Sequence, residues 1–226
     1  MANVVLITGN TGTGKSRSLR DLNPKETYLI NCANKPLPFV GSGNLYQAGV
    51  NMVVSNESGF IVSAMRQVSE KATHIKNLII DDSGFIMTEL FFKKSSDKGY
   101  EKFTEIAKAF QSILSTAKSL RDDLNIAIIM HEDDLVSNGI IVGKKAKTVG
   151  KLVDDQYNPL SVVTVALFTD VSYDKEGNPV YSFITNRCLR QGVEIPAKSP
   201  EGMFAERLIP NDLNLVFKTA REYYSN

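Results

Sequence analysis

The stretch VVLITGNTGTGKSRSL, residues 4–19, decides how the rest of the chain is interpreted. It begins as an apolar run typical of a buried strand, breaks at a glycine-rich turn and then becomes helix-forming. Residues 9–16 within it match the pattern of a glycine, four residues and Gly-Lys-Ser that marks phosphate-binding loops. Because the turn lies between a strand and a helix, as such loops do, we predict a nucleotide-binding site here.

Each residue type in this turn has a chemical reason to be there. Glycines let successive backbone N–H groups point at phosphate oxygens, and the start of the following helix favours an anion. We expect Lys15 to be exposed in the empty site and to reach the β and γ phosphates, and Ser16 to ligate Mg²⁺. ATP and Mg²⁺ are therefore the expected cofactors, and the predicted nucleotide-binding residues are Gly9, Asn10, Thr11, Gly12, Thr13, Gly14, Lys15, Ser16 and Arg17.

Composition limits the remaining function classes. The 226 residues carry 26 basic and 25 acidic side chains, so the net charge of +1 gives no bulk attraction to nucleic acid. The two cysteines, Cys32 and Cys188, have no metal-ligand spacing, which suggests a reducing compartment. No apolar run approaches the ~20 residues of a membrane span. We expect a cytoplasmic protein with no membrane contact.

Apolar runs alternate with helical periods along the chain, which predicts an α/β fold with a mostly parallel sheet flanked by helices. A long amphipathic helix is predicted from the apolar positions between Phe103 and Leu120. Two alternating runs around residues 174–178 predict an antiparallel hairpin at one edge of the sheet. Residues 93–99 and 143–151 are predicted to be mobile loops, and the buried strands to be residues 3–8, 27–31, 51–55, 77–82, 125–131 and 161–169.

Two carboxylates follow the fourth predicted strand. Asp81 and Asp82 end the stretch NLIIDD, residues 77–82, at the sheet edge where ligands of open α/β sheets bind. We predict that Asp81 holds the metal ion together with Ser16. Asp82 either polarises the attacking water or caps the next helix, and the sequence leaves both interpretations open.

The fifth predicted strand ends in His131 and Glu132, at the same edge. We predict that a polar side chain here contacts the γ-phosphate, and we include both residues among the catalytic candidates with Lys15 and Asp82. A structural histidine followed by a helix cap is the alternative.

Four lysines lie just past that strand, and they are a weak candidate for contacts with DNA phosphates. A solvated loop without a nucleic-acid role is the alternative, because no aromatic residues are interleaved for base stacking. The lysines are Lys144, Lys145, Lys147 and Lys151.

The chain resembles the phage-encoded RecA-like P-loop ATPases of the AAA/RecA superfamily, including their single-strand-annealing recombination proteins. The resemblance rests on GNTGTGKS (9–16), IIDDS (79–83), IIMHED (128–133), the segment 147–168 and the tail 197–224. It implies a single RecA-like ATPase domain over residues 1–226, in a homo-oligomeric ring or filament with nucleotide between subunits. It also implies single-stranded DNA as partner, a role in recombination, repair or replication, and a location in the host cytoplasm.

The resemblance further suggests a cation supplied by the neighbouring subunit to the γ-phosphate. Arg187, Arg190 and Lys198 are the candidates, and a solvated charged edge is the alternative for each.

One departure from the wider superfamily concerns the second strand, which is often followed by a glutamate base. Here it runs into Asn31-Cys32-Ala33-Asn34, so either Asp82 or Glu132 substitutes for the glutamate or hydrolysis is slow. A nucleotide-switched assembly module with little hydrolysis is one alternative function, which this departure favours. A small-molecule or nucleotide kinase is the other, because kinases of that type share the loop and the sheet.

Overall fold

Parallel strands form the centre of the fold, as their continuous apolar sequences predict. The structure is a computed structural model that describes residues 2–225. Within that range the strands are β1 (Asn3–Gly9), β2 (Thr27–Asn31), β3 (Met52–Val54), β4 (Asn77–Asp81), β5 (Asn125–Ser137), β6 (Ile140–Ala146), β7 (Val165–Tyr173), β8 (Pro179–Ile184), β9 (Cys188–Arg190), β10 (Val193–Ile195) and β11 (Leu208–Pro210).

Helices fill most of the connections between these strands. They are α1 (Ser42–Leu45), α2 (Ser58–Lys71), α3 (Gly84–Lys93), α4 (Glu101–Ser119), α5 (Pro159–Val162) and α6 (Leu213–Ser225). A 3₁₀ helix covers Ser16–Leu19 and a π-helical turn covers Leu152–Gln156. The predicted long helix is confirmed by α4. No helix within residues 2–225 combines the length and the apolar character needed to cross a membrane.

The main sheet has the strand order β11-β8-β7-β1-β5-β4-β2-β3. The six strands from β7 to β3 are parallel neighbours, whereas β8 and β11 join antiparallel. The prediction of an α/β fold with a mostly parallel sheet and flanking helices is confirmed, and the β7–β8 hairpin is present with β11 added outside it.

Alternation along each strand builds two hydrophobic cores, one on each face of the sheet. In β1, Leu6 faces the core that α2, α3 and α4 cover, and its neighbours Val5 and Ile7 face the core that α6 covers. Burial on both faces explains why the central parts of these strands are nearly continuous apolar runs. The two cores hold the sheet rigid, and polar side chains remain at the strand ends.

Two helical segments differ from the sequence prediction. The predicted strand 161–169 begins only at Val165, because Asn158 accepts a hydrogen bond from the Leu160 N–H and Pro159 starts α5. The segment after the glycine-rich turn is only the four-residue 3₁₀ helix. Asn23-Pro24 ends the helical region soon afterwards, because the residue before a proline disfavours the helical conformation. The helix whose start was expected to favour an anion is therefore a single 3₁₀ turn, and its contribution to anion binding remains a prediction.

β5 extends beyond the main sheet and forms a ribbon with β6. Residues 132–137 of β5 pair antiparallel with residues 140–146, and β6 continues to β10 and β9. The predicted mobile loop 143–151 is therefore wrong over residues 143–146, which are a paired strand. An extended β5 supplies the hydrogen-bond partners that order this lysine-rich segment.

Candidate functional site

The candidate site is a cavity of about 330 Å³ at the carboxyl edge of the parallel strands. Gly9 at the end of β1 is in register with His131 on β5, and Asn31 at the end of β2 is in register with Asp81 on β4. Strand ends that meet at one edge bring residues distant in sequence together. The lining residues are Thr11, Gly12, Gly14, Lys15, Ser16, Arg17, Lys35, Pro36, Pro38, Asp81, Asp82, His131 and Tyr181.

The glycine-rich loop is held against β7 and β8 by close contacts. A Cβ at Gly9 would lie 1.7 Å from the Thr169 hydroxyl oxygen. Gly14 has φ +95°, and a Cβ there would lie 2.8 Å from the Tyr181 ring. The Thr13 and Thr169 hydroxyls are 2.5 Å apart. Only glycine allows these approaches and this conformation, so the spacing of glycines in the sequence has a steric cause.

Lys15 lies inside the loop and is buried, with 6% of its surface exposed. Its Nζ donates a hydrogen bond of 2.8 Å to the Asn10 carbonyl and lies 3.5 Å from His131 Nδ1. Burial lowers the pKa of Lys15, while the charges of Asp82 and Asp81 oppose that shift. The expectation that this lysine is exposed in the empty site is wrong, because the curled loop surrounds it.

Ser16 and Asp81, the two residues predicted to hold the metal ion, lie side by side. The Ser16 hydroxyl donates a hydrogen bond of 2.9 Å to Asp81 Oδ1. Burial, and then the charge of Asp82, raises the pKa of Asp81 to about 6. Among the described residues no cluster of three or more His, Cys, Asp or Glu side chains is arranged for a metal ion. A hydroxyl and one carboxylate do fit Mg²⁺, which completes its coordination with phosphate oxygens and water.

Asp82 faces the cavity and lies between the side chains of Lys35 and His131. Its carboxylate lies 3.1 Å from Lys35 Nζ and 3.3 Å from His131 Nε2. Burial alone would raise the pKa of Asp82, but the hydrogen bonds from His131 and Lys35 lower it to about 2. The alternative role as a helix cap is not seen, because α3 begins after Ser83 without a side-chain cap.

The opposite end of the cavity has a different chemical character. The Arg17 guanidinium carbon lies 4.5 Å from the centroid of the Tyr181 ring. Tyr181 is on β8, and the strands from β8 through β7, β1 and β5 to β4 are successive neighbours. Three strands, β7, β1 and β5, therefore lie between Tyr181 and the Asp pair. The cavity has two carboxylates at its β4 end and an aromatic ring beside an arginine at its β8 end.

Sequence analysis missed four of the lining residues, namely Lys35, Pro36, Pro38 and Tyr181. A signal existed for Lys35, because it follows a buried strand whose carboxyl end lies at the ligand edge. Tyr181 alternates with its neighbours in an ordinary hairpin strand, and its pairing with Arg17 depends on the order of strands in the sheet.

Several predicted catalytic residues do not line the cavity in the described part of the chain. Glu132 forms an ion pair of 3.0 Å with Lys144, and β5 continues past it without a helix to cap. Arg187 pairs with Glu194 at 2.6 Å, and Arg190 pairs with Asp170 at 2.5 Å. The backbone of Lys198 bridges to Ala166. A role for these three cations across a subunit interface remains a prediction.

The four lysines predicted as a DNA-contacting loop are divided between two environments. Lys144 and Lys145 are in β6 and are paired with Glu132, Asp134 and Asp154. The remaining two, Lys147 and Lys151, follow the strand. Contact of these residues with DNA also remains a prediction.

Neither a scan against protein-family models nor a search of curated proteins finds a match to this chain. What the chain binds is therefore inferred from the side chains at this edge of the sheet.

Proposed function

We propose that the chain is a Mg²⁺-dependent ATPase with a RecA-like P-loop core. The observation that carries the proposal is the convergence of Lys15, Ser16 and Asp81 on one cavity at the end of β1 and β4. A lysine inside a glycine-rich loop binds phosphates, and a hydroxyl beside a carboxylate suits Mg²⁺. From the family resemblance alone we extend the proposal to a homo-oligomer in the host cytoplasm that acts on single-stranded DNA in recombination, repair or replication.

Asp82 is the residue best placed to orient the attacking water. In hydrolysis the water oxygen bonds to the γ-phosphorus, the bond from that phosphorus to the bridging oxygen breaks, and ADP keeps the electron pair. The water proton passes to Asp82 or to the departing phosphate. In the empty site the hydrogen bonds from His131 and Lys35 lower the pKa of Asp82 to about 2, so its carboxylate is ionised at neutral pH and can accept a hydrogen bond from water.

The two unlike ends of the cavity set the orientation of the nucleotide. Phosphates and metal ion belong at the β4 end, near Lys15 and the Asp pair. The base belongs at the β8 end, where the Tyr181 ring and the Arg17 guanidinium offer flat surfaces for stacking.

Tyr181→Ala is expected to weaken ATP binding about five- to a hundredfold, because stacking of a base on an aromatic ring contributes about 1–3 kcal/mol. Affinity for inorganic tripolyphosphate should stay within about twofold of the parental value. Calorimetric titration of both ligands measures this, and Tyr181→Phe, which keeps the ring, is the matched control. Equal losses for ATP and tripolyphosphate would show that Tyr181 shapes the loop and does not bind the base.

The role on DNA is tested by ATP turnover with and without single-stranded DNA at several protein concentrations. We expect DNA to stimulate turnover and the specific activity to rise with protein concentration, because a neighbouring subunit would complete the site. Strict proportionality to enzyme, no response to DNA and phosphorylation of a small acceptor would favour a kinase. ATP binding without turnover would favour the nucleotide-switched assembly module.

A further inference from the structure

The loop that follows β2 is ordered by hydrogen bonds and places Lys35 at the cavity. The Asn31 side chain donates a hydrogen bond of 2.7 Å to the Lys35 carbonyl and accepts one of 3.4 Å from the Lys35 N–H. Asn34 has φ +52°, a left-handed conformation that asparagine tolerates better than most residues. The backbone of Lys35 is therefore fixed by a buried side chain of the sheet.

The side chain of Lys35 is less constrained than its backbone. Its Nζ is 3.1 Å from Asp82 Oδ2 and 4.9 Å from the centroid of the Phe85 ring, and 55% of the side chain is exposed. The Asp82 side chain is only 11% exposed, but it retains His131 Nε2, at 3.3 Å, as a partner when Lys35 moves away.

Lys35 also lies on the correct side of the cavity to meet the last phosphate. β2 is the strand next to β4, on the side away from β1 and Tyr181. With the base at Tyr181 and Lys15 at the centre, the phosphate chain runs toward the Asp pair and Lys35. A phosphate oxygen is a strong acceptor for an ammonium group because it combines high charge with directed lone pairs.

We propose that Lys35 is a second phosphate-binding lysine, which leaves Asp82 and contacts the terminal phosphate of the triphosphate within the same chain. The inference rests on the proposed nucleotide site and adds that this site distinguishes ATP from ADP by a residue of its own subunit. The exchange also removes one cationic partner from Asp82, the carboxylate placed to orient water.

The test compares binding of ADP and of a non-hydrolysable ATP analogue to the parental chain and to Lys35→Met, with Mg²⁺ present. We expect Lys35→Met to weaken binding of the analogue about tenfold or more, the size of one charge-assisted hydrogen bond, and to change ADP affinity less than about twofold. Lys35→Arg should keep the preference for the triphosphate. Thermal unfolding of each variant shows that the fold is intact.

Lys93→Met is the matched control. Lys93 forms an ion pair of 2.9 Å with Glu57 and its side chain is 54% exposed, so the substitution removes the same charge from a lysine of similar exposure outside the cavity. It should leave both affinities unchanged.

Three results would overturn the role of Lys35 while leaving the nucleotide site intact: no change in Lys35→Met, equal losses for analogue and ADP, or the same loss in Lys93→Met. Failure of the parental chain to bind either nucleotide would instead overturn the proposed function, and the inference with it.

Discussion

Lys15→Ala is expected to abolish ATP turnover and to weaken ATP binding more than about a hundredfold. The reason is that the ammonium group sits at the centre of the loop, where it would form charge-assisted hydrogen bonds of about 1.5–3 kcal/mol each with phosphate oxygens. Lys15 is the lysine that the loop encloses, with its Nζ between the Asn10 carbonyl and His131. Turnover is measured by phosphate release at saturating ATP.

The control for this variant is its own stability, because the alanine also loses the hydrogen bond to Asn10. Circular dichroism and thermal unfolding should show the same fold as the parental chain. Parental rates of phosphate release from a folded Lys15→Ala protein would contradict the assignment of the loop.

The two adjacent aspartates are expected to differ in the step that they affect. Asp81→Asn should remove the increase in ATP affinity that Mg²⁺ gives the parental chain, because an amide oxygen is a much weaker ligand for a hard cation. Asp82→Asn should keep that increase and lower turnover about a hundredfold or more, as expected when a group that accepts the water proton is lost. Titrations with Mg²⁺ and with a chelator, combined with turnover rates, separate the two effects.

Both aspartate variants should fold. Asp82 has φ +53°, a left-handed conformation that asparagine tolerates as well as aspartate does. In Asp81→Asn the amide oxygen can still accept the hydrogen bond from Ser16. Parental turnover in Asp82→Asn would mean that another residue positions the water. An unchanged response to Mg²⁺ in Asp81→Asn would remove this residue from the metal site.

The central strands could be predicted from the sequence because burial on both faces demands a nearly continuous apolar run. β1, β4 and the first half of β5 are such runs, and the charged residues that end them mark the edge of the sheet. The positions of Asp81 and His131 at this edge therefore follow from the amino-acid pattern alone. The long helix α4 could equally be predicted, because its apolar residues repeat at helical spacing.

The hairpin of β5 and β6 carries a local signal that the sequence-based prediction did not use. Asn138-Gly139 connects the two strands, both residues have positive φ, and this dipeptide is the strongest short-range signal of a hairpin. The prediction of a mobile loop is therefore wrong over residues 143–146 because a turn signal was overlooked. The helical segment after the glycine-rich loop is short because Asn23-Pro24 follows it, and the residue before a proline disfavours the helical conformation.

The candidate site also contains both residues that could be predicted from the sequence and residues that could not. Residues 9–16, Asp81 and His131 carry a local pattern, whereas Tyr181 and Lys35 enter the cavity from β8 and from the loop after β2. Their places depend on the order β8-β7-β1-β5-β4-β2, which no short segment of sequence specifies. Tyr181 therefore emerges only from the fold, whereas Lys35 carries a signal in its position after a buried strand.

Calorimetric titration of the parental chain and of Lys15→Ala with ATP, in the presence of Mg²⁺, determines whether the glycine-rich loop is a nucleotide-binding site. We expect saturable binding of one ATP per parental chain and a dissociation constant raised more than about a hundredfold in Lys15→Ala. Equal affinity of the two proteins for ATP, or no binding by the parental chain at millimolar ATP, would show that the loop is not such a site.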